Sequence, residues 1–325
     1  MPIPIKLNNP DEFPLPAIFG VSGTTLTADE KKFFRESDPL GFILFARNCE
    51  NPDQLRALNK SLHEVVGRVV PILIDQEGGR VQRLRAPQWQ EHPAAQTLTT
   101  KAEVEANTES LCNLLKDNGF NVNCVPVLDV LFPQTHAAIG NRAFSSDPDI
   151  VADLGSSVCA TCFENGIIPI VKHLPGLGRA DLDTHKDLPV VTASREELES
   201  SDFKPFRIVA KRHPAAWGMI GHAVYKAIED KVPASCSARM IRDVVRGHMG
   251  LEGLLLSDDL CMDALSIYGD AGARAAKSLG AGCDIALHCN GKMEEMIAVA
   301  NSIPKMTDKA AVRYNLSVSM MNKGS

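Results

Sequence analysis

"GIIPIVKH", residues 166–173, is the stretch on which the fold depends. Apolar residues follow one another without alternation, and the run stops abruptly at Lys172 and His173. A strand with one wet face would alternate, so a continuous run predicts a strand covered on both faces, as in a parallel sheet. Seven more runs share this character: "AIFGVSG" (17–23), "GFILFAR" (41–47), "VVPILID" (69–75), "FNVNCVPVLDV" (120–130), "AAWGMIGHAVY" (215–225), "LEGLLLSD" (251–258) and "CDIALHC" (283–289).

Helical patterns fill the gaps. "NPDQLRALNKSLHEVV" opens with Asn51 as N-cap and Pro52 at the first helical position. "SDPDIVADLGSSVCATCFENG" opens the same way at Ser146, Asp147 and Pro148, and Gly166 supplies a left-handed C-terminal stop. "TASREELESSDFKPFRIVAKRH" and "SCSARMIRDVVRGHMG" provide helices for the next two gaps, and a closing helix is expected beyond residue 303. Eight strands alternating with about eight helices predict an α/β fold, a (β/α)8 barrel forming one catalytic domain over residues 1–325. The rival is a doubly wound open sheet, but no GxGxxG follows the first strand to support its dinucleotide-binding form.

The bulk numbers narrow the function. The chain has 325 residues, 44% hydrophobic and 23% charged, ample for a large core. Its net charge of −6, with no basic run, argues against nucleic acid or an anionic membrane as partner. No apolar stretch approaches the roughly 20 residues a membrane helix requires. The first residues lack a signal-like apolar segment, so a cytoplasmic setting is expected. Nine cysteines, an odd count, then read as reduced core thiols, and Cys159 and Cys162 of "CATC" lie in a helical stretch without a second pair.

In a barrel the chemistry belongs at the C-terminal strand ends. Charged residues at those points are Arg47, Asp75, Asp129, Lys172, His173, His222, Asp258, Asp259 and His288. A carboxylate such as Asp258 in that position is either paired or used. Strand alternation would turn only one of Asp258 and Asp259 to the barrel mouth, and Asp259 is expected to cap the following helix. After Lys172 and His173 comes a Gly-shaped loop carrying Asp183, Thr184 and His185. There an Asp two positions before a His can fix its tautomer and free the other ring nitrogen for proton exchange. In "DQEGGRVQR", Gly78 and Gly79 allow a tight turn. Asp75 could accept two hydroxyls and Arg83 could fork onto an oxygen, while Glu77 and Arg80 are expected to pair beneath the turn. Arg142 is placed on the loop after the fourth strand, where a solvated side chain is the plain alternative.

Four motifs, "LIDQEGGRVQRL", "IGNRAF", "KHLPGLGRADLDTH" and "LLLSDDLCM", in this order and spacing, resemble those of the family-three glycoside hydrolases. More narrowly, they resemble the single-domain bacterial β-N-acetylhexosaminidases of cell-wall recycling. The resemblance implies a retaining mechanism without a cofactor. Asp258 would be the nucleophile, His185 the acid/base, and Asp183 its dyad partner. Asp75, Arg83, Arg142, Lys172 and His173 would bind N-acetylglucosamine. The implied substrate is a small glycan, an N-acetylglucosaminyl anhydromuropeptide from peptidoglycan, with no obligate protein partner. The long Gly-rich loop 172–185 is expected to move His185 in and out. This chain departs from the family's usual KHFPGHG at Leu174 and Leu177, which carry none of these roles; Lys186 directly after His185 is also unusual, and a cation there, if it points inward, would lower the histidine's pKa.

Two other readings stand beside hydrolysis: a phosphorylase of the same fold, since a neutral histidine would tolerate phosphate as attacking group, and a sugar-binding sensor. A metal-dependent amidohydrolase is disfavoured, because "FGVSG" stands where the first strand would need an HxH pair. No metal is expected.

Overall fold

The computed structural model describes residues 4–180 and 188–321. The eight apolar runs become Leu15–Gly20, Pro39–Leu44, Ile72–Ile74, Val122–Asn123, Ile168–Leu174, Trp217–Ile220, Leu255–Ser257 and Ala286–His288. From the first to the seventh, each pairs in parallel with the next, and the first also pairs with the eighth. The seventh and eighth meet at the Leu256–Ile285 bridge, where Ser257 N–H donates to Ile285 O at 3.1 Å. The strands form a parallel (β/α)8 barrel.

Alternate strand residues divide between two layers. Ile18, Ile43, Leu73, Ile170, Met219, Leu256 and Leu287 pack together inside the barrel. Ala17, Phe19, Phe42, Leu44, Ile72 and Ile74 pack outward against the helices. With both faces apolar, each strand reads as an unbroken run, which is why the pattern was visible. The closing helix, Asp308–Met321, adds Tyr314, Val318 and Met321 to the interior cluster. Its Ser317 Oγ accepts a 2.8 Å hydrogen bond from Trp217 Nε1 at the start of the sixth strand. The N-terminal end of the barrel is thereby plugged, and the opposite end is left for chemistry.

The cap signals hold. Asn51 accepts from Gln54 N–H ahead of helix Pro52–Val66, and Asp147 accepts from Asp149 N–H ahead of Pro148–Glu164. Gly166 takes φ +72° just past the latter. Two gaps differ from expectation. The segment before the sixth strand breaks into Arg195–Ser200 and Lys204–Arg212. Pro205 has no N–H to continue the first helix, and Asp202 turns inward to accept from Arg179 Nε at 2.8 Å. The next, Met240–His248, is a π-helix, closed by Met249 N–H donating to Val244 O.

The nine cysteines are free, and all but Cys49 and Cys261 are buried. Among the described residues no helix is long and apolar enough to cross a membrane.

Candidate active site

At the C-terminal end of the barrel a cavity of about 370 Å3 is lined by Asp75, Arg83, Arg142, Lys172, His173 and Asp258. These are all the expected site residues that fall within the described chain. Asp183 and His185, Lys186 and the expected loop motion lie outside the described residues.

Lys172 and His173 are neighbours, yet both face the cavity. The fifth strand shifts register against the sixth between Val171 and Leu174, so alternation fails there. Lys172 Nζ donates to Asp75 Oδ1 at 2.7 Å and to Glu77 Oε1 at 2.6 Å, with only 2% of its side chain exposed. Arg83 Nη2 donates to Asp75 Oδ2 at 3.0 Å. Arg142 forks onto Glu77 through Nε at 2.8 Å and Nη2 at 2.7 Å. The five form one continuous network of three cations and two carboxylates.

The electrostatics follow from the pairing. Burial alone would raise the Asp75 pKa, but Lys172 and Arg83 outweigh it and hold the carboxyl well below its ordinary range. Burial opposes Glu77 in the same way, yet Lys172 and Arg142 bring it down to about 2. Lys172 and Arg142, which burial would lower, are raised by the same carboxylates. Asp75, Glu77, Lys172 and Arg142 are thereby held in their charged forms, and the network presents fixed donors and acceptors to hydroxyls and amides.

Glu77 does not pair with Arg80, contrary to expectation. Arg80 Nη2 donates instead to the carbonyls of Ala137, Ala138 and Ile139, tying that segment over the cavity. The glycine turn itself is as expected: Gly78 and Gly79 sit at φ +101° and +57°, and a Cβ on Gly78 would lie 2.1 Å from Pro93 O.

His173 is held from behind. Asp129, fully buried, accepts from His173 Nδ1 at 2.8 Å and from Leu177 N–H at 2.6 Å. With Nδ1 turned to Asp129, Nε2 lies 3.4 Å from Arg142 Nη2 on the side of the site. Leu174 is buried, and Leu177, where the family pattern has its second histidine, lines the cavity. The loop start is braced further: Tyr225 OH donates to Gly176 O at 2.6 Å, and Gly178 approaches Val130 so closely that a Cβ would sit 1.7 Å from its carbonyl oxygen.

Both Asp258 and Asp259 line the cavity, correcting the expectation that only one would. The seventh strand ends at Ser257, so its alternation no longer applies. Asp258 N–H donates to Ile220 O at 2.9 Å, and its Oδ1 accepts from Asp259 N–H at 2.8 Å. Asp259 does not cap the next helix, Asp263–Tyr268, whose N-cap is Met262. Its Oδ1 accepts from Cys261 N–H at 3.0 Å and Cys289 N–H at 3.1 Å, joining the turn to the eighth strand's end. His222, buried beneath, lies with Nε2 3.0 Å from Asp259 O and Nδ1 2.7 Å from Ser235 Oγ. Burial keeps its pKa low, so a neutral ring anchors the turn. Arg47 likewise serves the frame, donating to Val21 O at 2.9 Å and to Cys289 O.

The sequence profile of the glycosyl hydrolase family 3 N-terminal domain matches residues 21–315. A β-hexosaminidase of Bordetella avium is 36% identical over 291 residues, covering 85% of this chain and 81% of its own. The chain belongs to glycosyl hydrolase family 3. This family 3 member is a glycoside hydrolase of the β-N-acetylhexosaminidase type. A β-hexosaminidase of Pseudomonas aeruginosa is 34% identical over 284 residues, covering 86% of this chain and 84% of its own. Among solved structures, NagZ from Neisseria gonorrhoeae in complex with N-trifluoroacetyl-D-glucosamine superposes with a TM-score of 0.86 at 29% identity, covering 96% of this chain and 93% of its own. A family 3 β-N-acetylglucosaminidase from Paenibacillus superposes at 0.88 and 26% identity over 98% of this chain, which spans 62% of that protein.

Proposed function

We propose that the protein is a retaining exo-β-N-acetylglucosaminidase acting on anhydromuropeptides derived from peptidoglycan, in a cytoplasmic recycling role, with residues 1–325 as one catalytic barrel. The observation that carries this reading is the placement of Asp258 in the same cavity as Asp75, Arg83, Lys172 and Arg142, the last two tied together by Glu77. The volume, about 370 Å3, suits one sugar unit.

In this account Asp75 accepts from two ring hydroxyls while Lys172, Arg83 and His173 donate to or accept from their neighbours. Arg83 Nε, buried without a partner among the described residues, gives the sugar one more donor. With the ring so held, Asp258 attacks the anomeric carbon and forms a glycosyl ester. His185, oriented by Asp183, protonates the departing oxygen. The same imidazole then takes a proton from water, which attacks C1 and releases Asp258. Two inversions give net retention. No step calls for a cofactor.

The test is turnover of an aryl N-acetyl-β-glucosaminide by the parent chain, Asp258→Ala and His185→Ala. Loss of the nucleophile should cost on the order of 10⁴-fold or more. The His185 variant should lose much less with a good leaving group than with an unactivated disaccharide, because only the latter needs the proton. Equal rates from all three proteins would overturn the assignment.

A further inference from the structure

Beside the Asp258–Asp259 turn stands a group of side chains that hydrolysis leaves idle. Cys261 follows the turn, His288 ends the eighth barrel strand, and Glu295 lies on helix Met293–Ser302. One thiol sulfur, one imidazole nitrogen and one carboxylate oxygen lie within 4.8 Å of one another. No other such trio assembles among the described residues.

Hydrogen bonding alone accounts poorly for this group. His288 is fully buried; its Nε2 lies 3.0 Å from Glu295 Oε2, but its Nδ1 has no partner among the described residues. Buried polar atoms are ordinarily satisfied, so the ring carries an unused coordination or hydrogen-bonding capacity. Asn290 Nδ2 donates to Glu295 Oε2 at 2.6 Å, and Lys292 Nζ lies 3.1 Å from Oε1, so the carboxylate is ionised and aimed.

We propose that Cys261, His288 and Glu295 form a binding site for a thiophilic divalent cation of the zinc or cobalt(II) type, with a fourth position left to water. Sulfur, imidazole nitrogen and carboxylate oxygen together are the donor set such ions select. Bond lengths of about 2.3 Å to sulfur and 2.0–2.2 Å to nitrogen and oxygen place tetrahedral ligands about 3.5 Å apart, within side-chain adjustment of the arrangement present. Binding releases the thiol proton to solvent, and with Nε2 as the ligand atom the neutral ring carries its proton on Nδ1. The site differs from the catalytic cavity but is joined to it: the backbone N–H groups of Cys261 and of Cys289, the residue after His288, both donate to Asp259 Oδ1. An ion that draws Cys261 toward His288 therefore pulls on the turn that carries Asp258.

Titration of chelator-treated full-length protein with Co2+ alone tests the proposal without reference to hydrolysis. A thiolate-to-cobalt charge-transfer band in the near ultraviolet should saturate at one equivalent and be bleached by Zn2+. Cys261→Ser should abolish the band, and Asp258→Asn should retain it. Glu295→Gln, an isosteric change at a half-buried position, should keep the band while weakening cobalt binding on the order of tenfold. Absence of the band, its survival in Cys261→Ser, or unchanged affinity in Glu295→Gln would overturn the assignment.

Discussion

Lys172 Nζ sits 2.6 Å from Glu77 Oε1, joining the end of the fifth barrel strand to the glycine turn after the third, with 2% and 5% of the two side chains exposed. Charges this deep are stable only while paired, and removing one partner strands the others. Lys172→Met leaves Asp75 and Glu77 buried side by side with less compensation. We expect a loss of about 3–5 kcal/mol of folding stability, read as a shift of the urea midpoint. A midpoint unchanged from the parent would show that the network is solvated after all.

The same pair fixes how acid acts on the fold. Glu77 is brought from 4.5 down to about 2. Between those values the unfolded chain takes up a proton that the folded one refuses, so the stabilisation is complete above about pH 4.5 and is lost as pH falls through about 2. Glu77→Gln should be less stable than the parent at neutral pH and should show a shallower decline from pH 4.5 to 2. Unfolding free energies from denaturant titrations across that window check the slope; parallel curves would contradict it.

Asp129 positions rather than reacts. It orients His173 through Nδ1 and accepts the Leu177 N–H. Asp129→Asn preserves shape but replaces one accepting oxygen by an amide donor, so either the Leu177 N–H or the His173 Nδ1 contact is lost and the imidazole is misaimed. Misplacement on the ångström scale typically costs on the order of 100-fold. We expect a kcat/KM loss of that size, with the circular dichroism spectrum unchanged. Parent-like kcat/KM would remove His173 from the binding account.

Two glycines make a matched contrast. A Cβ on Gly178 would lie 1.7 Å from Val130 O, whereas one on Gly280, exposed on helix Ala271–Ala281, would meet nothing within 4 Å. Gly280→Ala should stabilise by about 0.5–1 kcal/mol through helix propensity. Gly178→Ala must displace the loop start and should lower both melting temperature and turnover. Melting curves of the two variants, run together, decide it.

The architecture was legible because a strand covered on both faces must be apolar at every position, and "GIIPIVKH" or "LEGLLLSD" can be little else. Strand-end rules then picked out Asp75, Lys172, His173 and Asp258. Pairing was not legible. Glu77 meets Arg142 across 65 residues, and Asp129 meets His173 across 44, contacts that only the closed barrel creates. Sequence proximity pairs Glu77 with its near neighbour Arg80 and gives Asp129 no partner. The Cys261–His288–Glu295 trio was hidden for the same reason: its members come from two different connections and carry no motif spacing. The register shift at the end of the fifth strand likewise leaves no trace in an apolar pattern.

The central claim is that Asp258 becomes covalently bonded to the sugar. A 5-fluoro N-acetyl-β-glucosaminyl fluoride slows formation and breakdown of such an ester while its good leaving group favours accumulation. Intact-mass measurement followed by peptide mapping should find one added 5-fluoro-N-acetylglucosaminyl unit, carried by Asp258. A label on any other side chain, or rapid turnover of the parent with no label at all, would contradict the account.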